Sequence, residues 1–188
     1  MKRTRYIRTA FVVASLLLLP TRLGINSQAQ SATTAPGANV IVRVPSPKEP
    51  VEVTKLLVAG NQVISDIAFI GDENWVNALS CEVKNTSGKV ITELRMSVSF
   101  EANGDKPRRI HIPLIYSAPI QPNRTVRVSA PTASVASLRG SLARQGAAAN
   151  FRKGELRLQI AKFQDGSLWV KGVMLGPRDS QTGRRQRM

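Results

Sequence analysis

A single cysteine and a single histidine in 188 residues remove whole classes of chemistry before any motif is sought. With Cys81 alone, no intramolecular disulfide can form. A structural zinc site needs about four clustered Cys, His or carboxylate ligands, and this chain offers no familiar set. Any Ser-His or Cys-His mechanism must use His111 as its base. No Gly-x-Ser-x-Gly turn presents a nucleophile. Aromatics make up 5% of the residues and seldom lie beside the basic ones, which argues against a stacking platform for nucleic acid. Acids are scarce as well: 12 Asp and Glu stand against 27 Lys and Arg, a formal net charge of +15. No apolar run reaches the roughly 20 residues that span a bilayer.

The N-terminus carries a distinct pattern. Lys2, Arg3, Arg5 and Arg8 precede the apolar run from Ala10 to Leu19, which Pro20 and Arg22 break. Ser27-Gln28-Ala29 then supplies a small-x-small site. A charged start, a short apolar run and small residues at a cut point read as a secretory signal peptide. Cleavage is expected after Ala29, with Ala32 as the alternative, and no cysteine near the cut could take a lipid. The expectation is a periplasmic or secreted protein with no transmembrane span once processed. Residues 1–29 hold five cations (Lys2, Arg3, Arg5, Arg8, Arg22) and no acid, so their removal takes the formal charge from +15 to +10. Such an excess attracts polyanions nonspecifically and says little about fold. For an exported protein it points to envelope proteins or anionic envelope polymers rather than specific nucleic acid. Plain solubility explains it equally well.

Residues 30–50 are rich in Ser, Thr, Ala, Gly and Pro and are expected to be a linker. Val40-Ile41-Val42-Arg43-Val44 is its one β-like interruption, a candidate edge strand. From Val51 to Gly176 the signals are those of strands: Val51–Val58, Val63–Ile70, Trp75–Lys84, Glu93–Phe100, Ile110–Tyr116, Thr125–Val128, Glu155–Ile160 and Ser167–Leu175. In the clearest of these, Leu94, Met96, Val98 and Phe100 face one way and Glu93, Arg95, Ser97 and Ser99 the other. Pro113 removes a ladder donor and predicts an edge position for its strand. Val135, Leu138 and Leu142 have helical spacing between Pro131 and Gln145, which predicts a short helix crossing between sheets. Asp165-Gly166 predicts a hairpin turn, since Gly tolerates the positive φ required there. Residues 177–188 contain four arginines and one aliphatic side chain and are expected to be a disordered basic tail. The architecture these segments predict is an all-β, antiparallel β-sandwich with one short crossover helix.

The candidate contact residues are basic: Arg108, Arg109, Arg152, Lys153, Arg184, Arg185 and Arg187. Trp169 joins them as a candidate for carbohydrate or lipid contact, with core packing as the commoner use of such a side chain. Cys81 lies on the apolar face of Leu79-Ser80-Cys81-Glu82-Val83, which predicts a buried, inert thiol. Ser87-Gly88-Lys89 fails as a phosphate loop, because Val83 stands where the first Gly belongs and Val90 where Ser or Thr belongs. Asn85-Thr86-Ser87 and Asn123-Arg124-Thr125 fit the glycosylation pattern, and Asn85 is better explained by its turn. Neither a catalytic nor a metal site is assigned, and no cofactor is expected.

Two stretches carry a resemblance. Val83-Lys84-Asn85-Thr86-Ser87-Gly88-Lys89-Val90-Ile91-Thr92-Glu93-Leu94, running on to Phe100 and Gly104, resembles immunoglobulin-like domains of bacterial envelope proteins. Phe163-Gln164-Asp165-Gly166-Ser167-Leu168-Trp169 is similar to the Phe-x-Asp-Gly-x-x-Trp hairpin of exported proteins of that kind. The likeness covers about residues 75–175 and implies an immunoglobulin-like fold and a secreted accessory or binding domain. It supplies no catalytic residues. The expected function is therefore a non-enzymatic envelope domain that contacts proteins or anionic polymers through basic loops and tail. The alternatives are a structural subunit assembling through an exposed edge strand, and a hydrolase or metal carrier using His111.

Overall fold

Alternation of apolar and polar side chains lays out two sheets, because each strand then has one face to bury. The computed structural model of the chain describes residues 37–71, 74–103, 108–144 and 148–188. The expected signal peptide lies outside the described residues, as do the turn at Gly104-Asp105 and the segment after the predicted helix.

The first sheet is antiparallel throughout. Its strands are β2 (Val51–Val58), β3 (Asn61–Val63), β5 (Leu79–Asn85) and β8 (Thr125–Ser129), in the order β3-β2-β5-β8. The second is built on β9 (Ala148–Phe163). One edge of β9 pairs with β6 (Ile91–Asn103), which pairs in turn with β7 (Arg108–Tyr116). The other edge is shared. Residues 160–162 pair antiparallel with β10 (Leu168–Val170), while residues 153–156 pair parallel with β1 (Ala38–Arg43). Beyond β10 come β11 (Val173–Arg178) and β12 (Arg185–Arg187), and beyond β1 comes β4 (Phe69–Ile70). The helix α1 (Thr132–Arg144) carries the chain from β8 to β9 and so from one sheet to the other, with Val135 and Leu142 buried.

One apolar cluster draws on both sheets: Leu56, Cys81, Val83 and Val128 from the first, with Leu94, Val98, Ile112, Leu114, Leu156 and Trp169 from the second. The Cys81 thiol donates to Met96 Sδ at 3.9 Å across this core. Burial pushes that thiol up to about 12 against a smaller opposing pull from Arg43, so it stays protonated and a poor nucleophile.

Six expectations need correction. Ser167–Leu175 is not one strand, since Lys171-Gly172 turns the chain between β10 and β11, and Trp75–Lys84 opens with a 3-10 helix over Trp75–Ala78 before β5 begins. The stretch from 30 to 50 is not linker throughout: β1 lies between β9 and β4, with Ile41 fully buried. Its parallel pairing with β9 means that the architecture is not purely antiparallel. Val63–Ile70 is not one strand. Arg43 N donates to Ser65 Oγ at 2.8 Å and Asp66 N to Ile41 O at 2.8 Å, folding the segment against β1. The tail is not disordered, because residues 173–187 form the β11–β12 hairpin. Among the described residues no helix is long and apolar enough to cross a membrane.

Departures from strict alternation position the rest. Between Arg95↔Ile160 and Met96↔Leu158 the ladder slips, so that β9 carries one residue more than β6. Such a bulge reverses which face the following residues take. Leu156 and Leu158 face the core before it, and Ala161 and Phe163 after it.

Candidate functional site

Charge on this protein is distributed unevenly. Among the described residues, five carboxylates (Glu49, Glu82, Glu93, Glu155, Asp165) form eight ion pairs with Arg43, Lys55, Lys89, Arg95, Arg109, Arg127, Arg157 and Lys162. Glu82, Glu93 and Glu155 are held below the usual carboxylate range, first by hydrogen bonds from Lys55, Lys162 and Arg157 respectively. The pairs of Glu82, Glu93 and Glu155 lie across the faces of the sheets, where the charges neutralise one another.

Arg109 belongs to this compensated set. Its two terminal nitrogens donate to Glu155 Oε2 at 3.2 Å and Oε1 at 3.3 Å. Beside it, Ser99, Glu101, Asn150 and Lys153 help to line a cleft of about 180 Å³. Its two cations face two carboxylates, so it has no strong preference for an anion. In the same rows His111 Nδ1 lies 2.7 Å from Ser99 Oγ, the two residues being directly opposite on β7 and β6. No carboxylate hydrogen-bonds the imidazole among the described residues. The contact joins a cross-strand polar pair.

Arg152 and Lys153 stand where β9 bulges most, between Phe100↔Gly154 and Glu101↔Asn150. Both are exposed and meet no carboxylate at ion-pair distance among the described residues. The backbone of Arg108 lies in β7, and its side chain is outside the description.

The densest basic group is the C-terminal hairpin. Arg178, Arg184 and Arg187 are exposed and Arg185 is half-buried. Arg178 pairs directly with Arg185 across the ladder. The one carboxylate of the hairpin, Asp179, is committed to its loop: Oδ1 accepts from Gln181 N at 2.9 Å, Thr182 N at 2.7 Å and Thr182 Oγ1 at 3.0 Å. Arg185 is a fixture rather than a mobile contact, since its Nη1 donates to Gly166 O and to Gly176 O at 2.8 Å. Sequence reasoning did not single out Arg178, because alternation alone does not reveal which face it takes.

Trp169 is not a surface ligand contact. It is 0% exposed, opposite Ala161 on β9 and Met174 on β11. Because the bulge in β9 turns Ala161 to the core, Trp169 must follow it.

The two stretches that carried the resemblance meet at one end of the domain. Gln164 N donates to Val90 O at 3.0 Å, and Lys89 Nζ reaches Asp165 Oδ2 at 2.6 Å. Lys89, then the Ser167 hydroxyl and the Ser167 amide, bring the Asp165 carboxyl down to about 2. Asn85 is fully buried within this junction, whereas Asn123 is exposed. A depressed folded-state value gives stability that is complete above the ordinary carboxylate range and is lost as pH falls towards 2. Lys89 and Asp165 are each nearly half exposed, and solvent screening keeps the charge contribution below about 1 kcal/mol. Asp165→Asn, which keeps an acceptor for Ser167, should therefore lose less than about 1 kcal/mol at neutral pH. The deficit should vanish as the pH approaches 2, which urea titrations at both pH values check.

The chain matches no known family model, no curated protein and no solved structure.

Proposed function

We propose that this protein is an exported, non-enzymatic, immunoglobulin-like binding domain of the cell envelope that contacts anionic polymers or proteins through its uncompensated cations. The observation that carries the reading is the separation of charge. Glu82, Glu93 and Glu155 are committed to cations on the sheet faces, while Arg152, Lys153, Arg178, Arg184 and Arg187 stand without carboxylate partners among the described residues. The signal-peptide pattern supports export. Strand order supports the fold: β2-β5-β8 against β7-β6-β9-β10 follows the order of immunoglobulin-like sheets, with α1 as the crossover. Pro113 in β7 and the arginines of β12 guard two sheet edges against pairing with another strand, which disfavours a structural subunit joined edge to edge.

The test is capture of anionic envelope polymer by the full chain as salt is raised. With about four cations engaged, affinity should fall about 50-fold between about 50 and about 200 mM salt. Retention indifferent to salt would exclude a charge-driven contact.

A further inference from the structure

We propose that one face of the β11–β12 hairpin is a binding site for a phosphodiester chain, with Arg178 and Arg187 contacting its phosphates. This rests on the binding role proposed above and names the ligand chemistry of the same basic hairpin.

The register brings the site together. Leu175 opposes Arg187 and Arg178 opposes Arg185, so three steps on β11 match two on β12. Gly176 and Pro177 fill this bulge. In a regular strand, residues 175 and 178 would face opposite ways; the extra residue brings them to the same side. Arg178 therefore joins Arg185 and Arg187 on one face. Directly opposed strand residues lie about 5 Å apart, and alternate residues along a strand about 6.8 Å apart. The phosphates of an extended phosphodiester chain recur at a similar step.

The cost of this arrangement points to a ligand. Like charges directly opposite on a sheet destabilise it, and Asp179 is turned into its own loop. Arg185 is pinned to the carbonyls of Gly166 and Gly176, which fixes its charge at the base of the site. Planar guanidinium groups suit phosphate oxygens through paired N–H donors. Residues 170–188 contain no aromatic side chain, so the hairpin cannot stack bases, and recognition should rest on the phosphate backbone.

The experiment measures binding of the full chain to three probes of matched charge: poly(glycerol phosphate), a single-stranded oligonucleotide and polyglutamate. Both phosphodiesters should bind within about threefold of one another, and polyglutamate about tenfold more weakly. Arg178→Gln with Arg187→Gln should lower phosphodiester affinity about tenfold and reduce the salt slope by about 1.4. The corresponding double Lys variant should recover only part of that affinity. Lys55→Gln with Arg127→Gln, cations that pair with Glu82 on the first sheet, should change it less than about twofold. In the unaltered protein, the Arg178 and Arg187 side-chain N–H resonances should shift on titration with poly(glycerol phosphate), a readout that does not depend on any variant folding.

Unmoved resonances, or equal affinity for polyglutamate, would overturn the phosphodiester assignment and leave the broader polyanion reading intact. Much tighter binding of the oligonucleotide than of the base-free chain would also overturn it, because bases would then be read. If none of the three probes binds at low salt, the broader reading fails as well.

Discussion

Replacing Trp169 with Ala should cost about 4 kcal/mol of folding stability. The side chain is completely buried in the cluster shared by both sheets, and Ala161, the residue opposite on β9, is too small to close the space. Loss of the indole therefore removes its burial and leaves a cavity. Trp169→Phe should cost about half as much. The indole Nε1 is buried and finds no hydrogen-bond acceptor among the described residues, so Phe discards a polar group that gains nothing from its position. Chemical denaturation of the three proteins checks both values. A loss under about 1 kcal/mol for the Ala variant, accompanied by loss of ligand capture, would return Trp169 to the surface.

Asn85→Ala should cost about 3 kcal/mol, again read by denaturation. Asn85 holds the junction between the two turns. Its amide nitrogen donates to Lys89 O at 2.8 Å and Ile120 O at 2.9 Å, and its amide oxygen accepts from Ser87 N at 3.0 Å and Ser87 Oγ at 2.7 Å. Its backbone is bonded as well, to Arg124 O at 2.9 Å and from Asn123 N at 2.8 Å. Alanine strands several of these groups away from water. Asn85→Asp keeps the volume but sets a buried carboxylate against two carbonyl oxygens. That variant should be at least as unstable at neutral pH and should recover in part as the pH falls. The sign follows because burial favours the protonated acid, and a proton restores one donor. A deficit independent of pH would mean that the site admits water.

Much of this was legible in the residues. The alternation in β6 places Leu94, Met96, Val98 and Phe100 in the core, and the spacing of Val135, Leu138 and Leu142 announces α1. Gly166 has a φ of 79°, as an Asp-Gly turn requires. Local signals of this kind hold because the nearest neighbours in sequence carry the interaction. Trp169 and Arg178 were not legible in the same way. Each owes its face to a bulge in a ladder, and a bulge depends on the partner strand as much as on the strand itself. The segment around Ile41 was legible as a strand but not as an interior one, since its partner β9 begins more than a hundred residues later.

The chain alone therefore set the β character, the approximate positions of turns and helix, the lone protonated thiol and the excess of positive charge, all of which follow from composition and short-range periodicity. Tertiary pairing settled what those features do. It took β1 and the C-terminal segment into the second sheet, turned Trp169 inward and matched Glu82, Glu93 and Glu155 to their cations. It also aligned Arg178 with Arg185 and Arg187. The reason is that a strand has two equivalent faces until register chooses between them, and one added residue in the ladder exchanges the two.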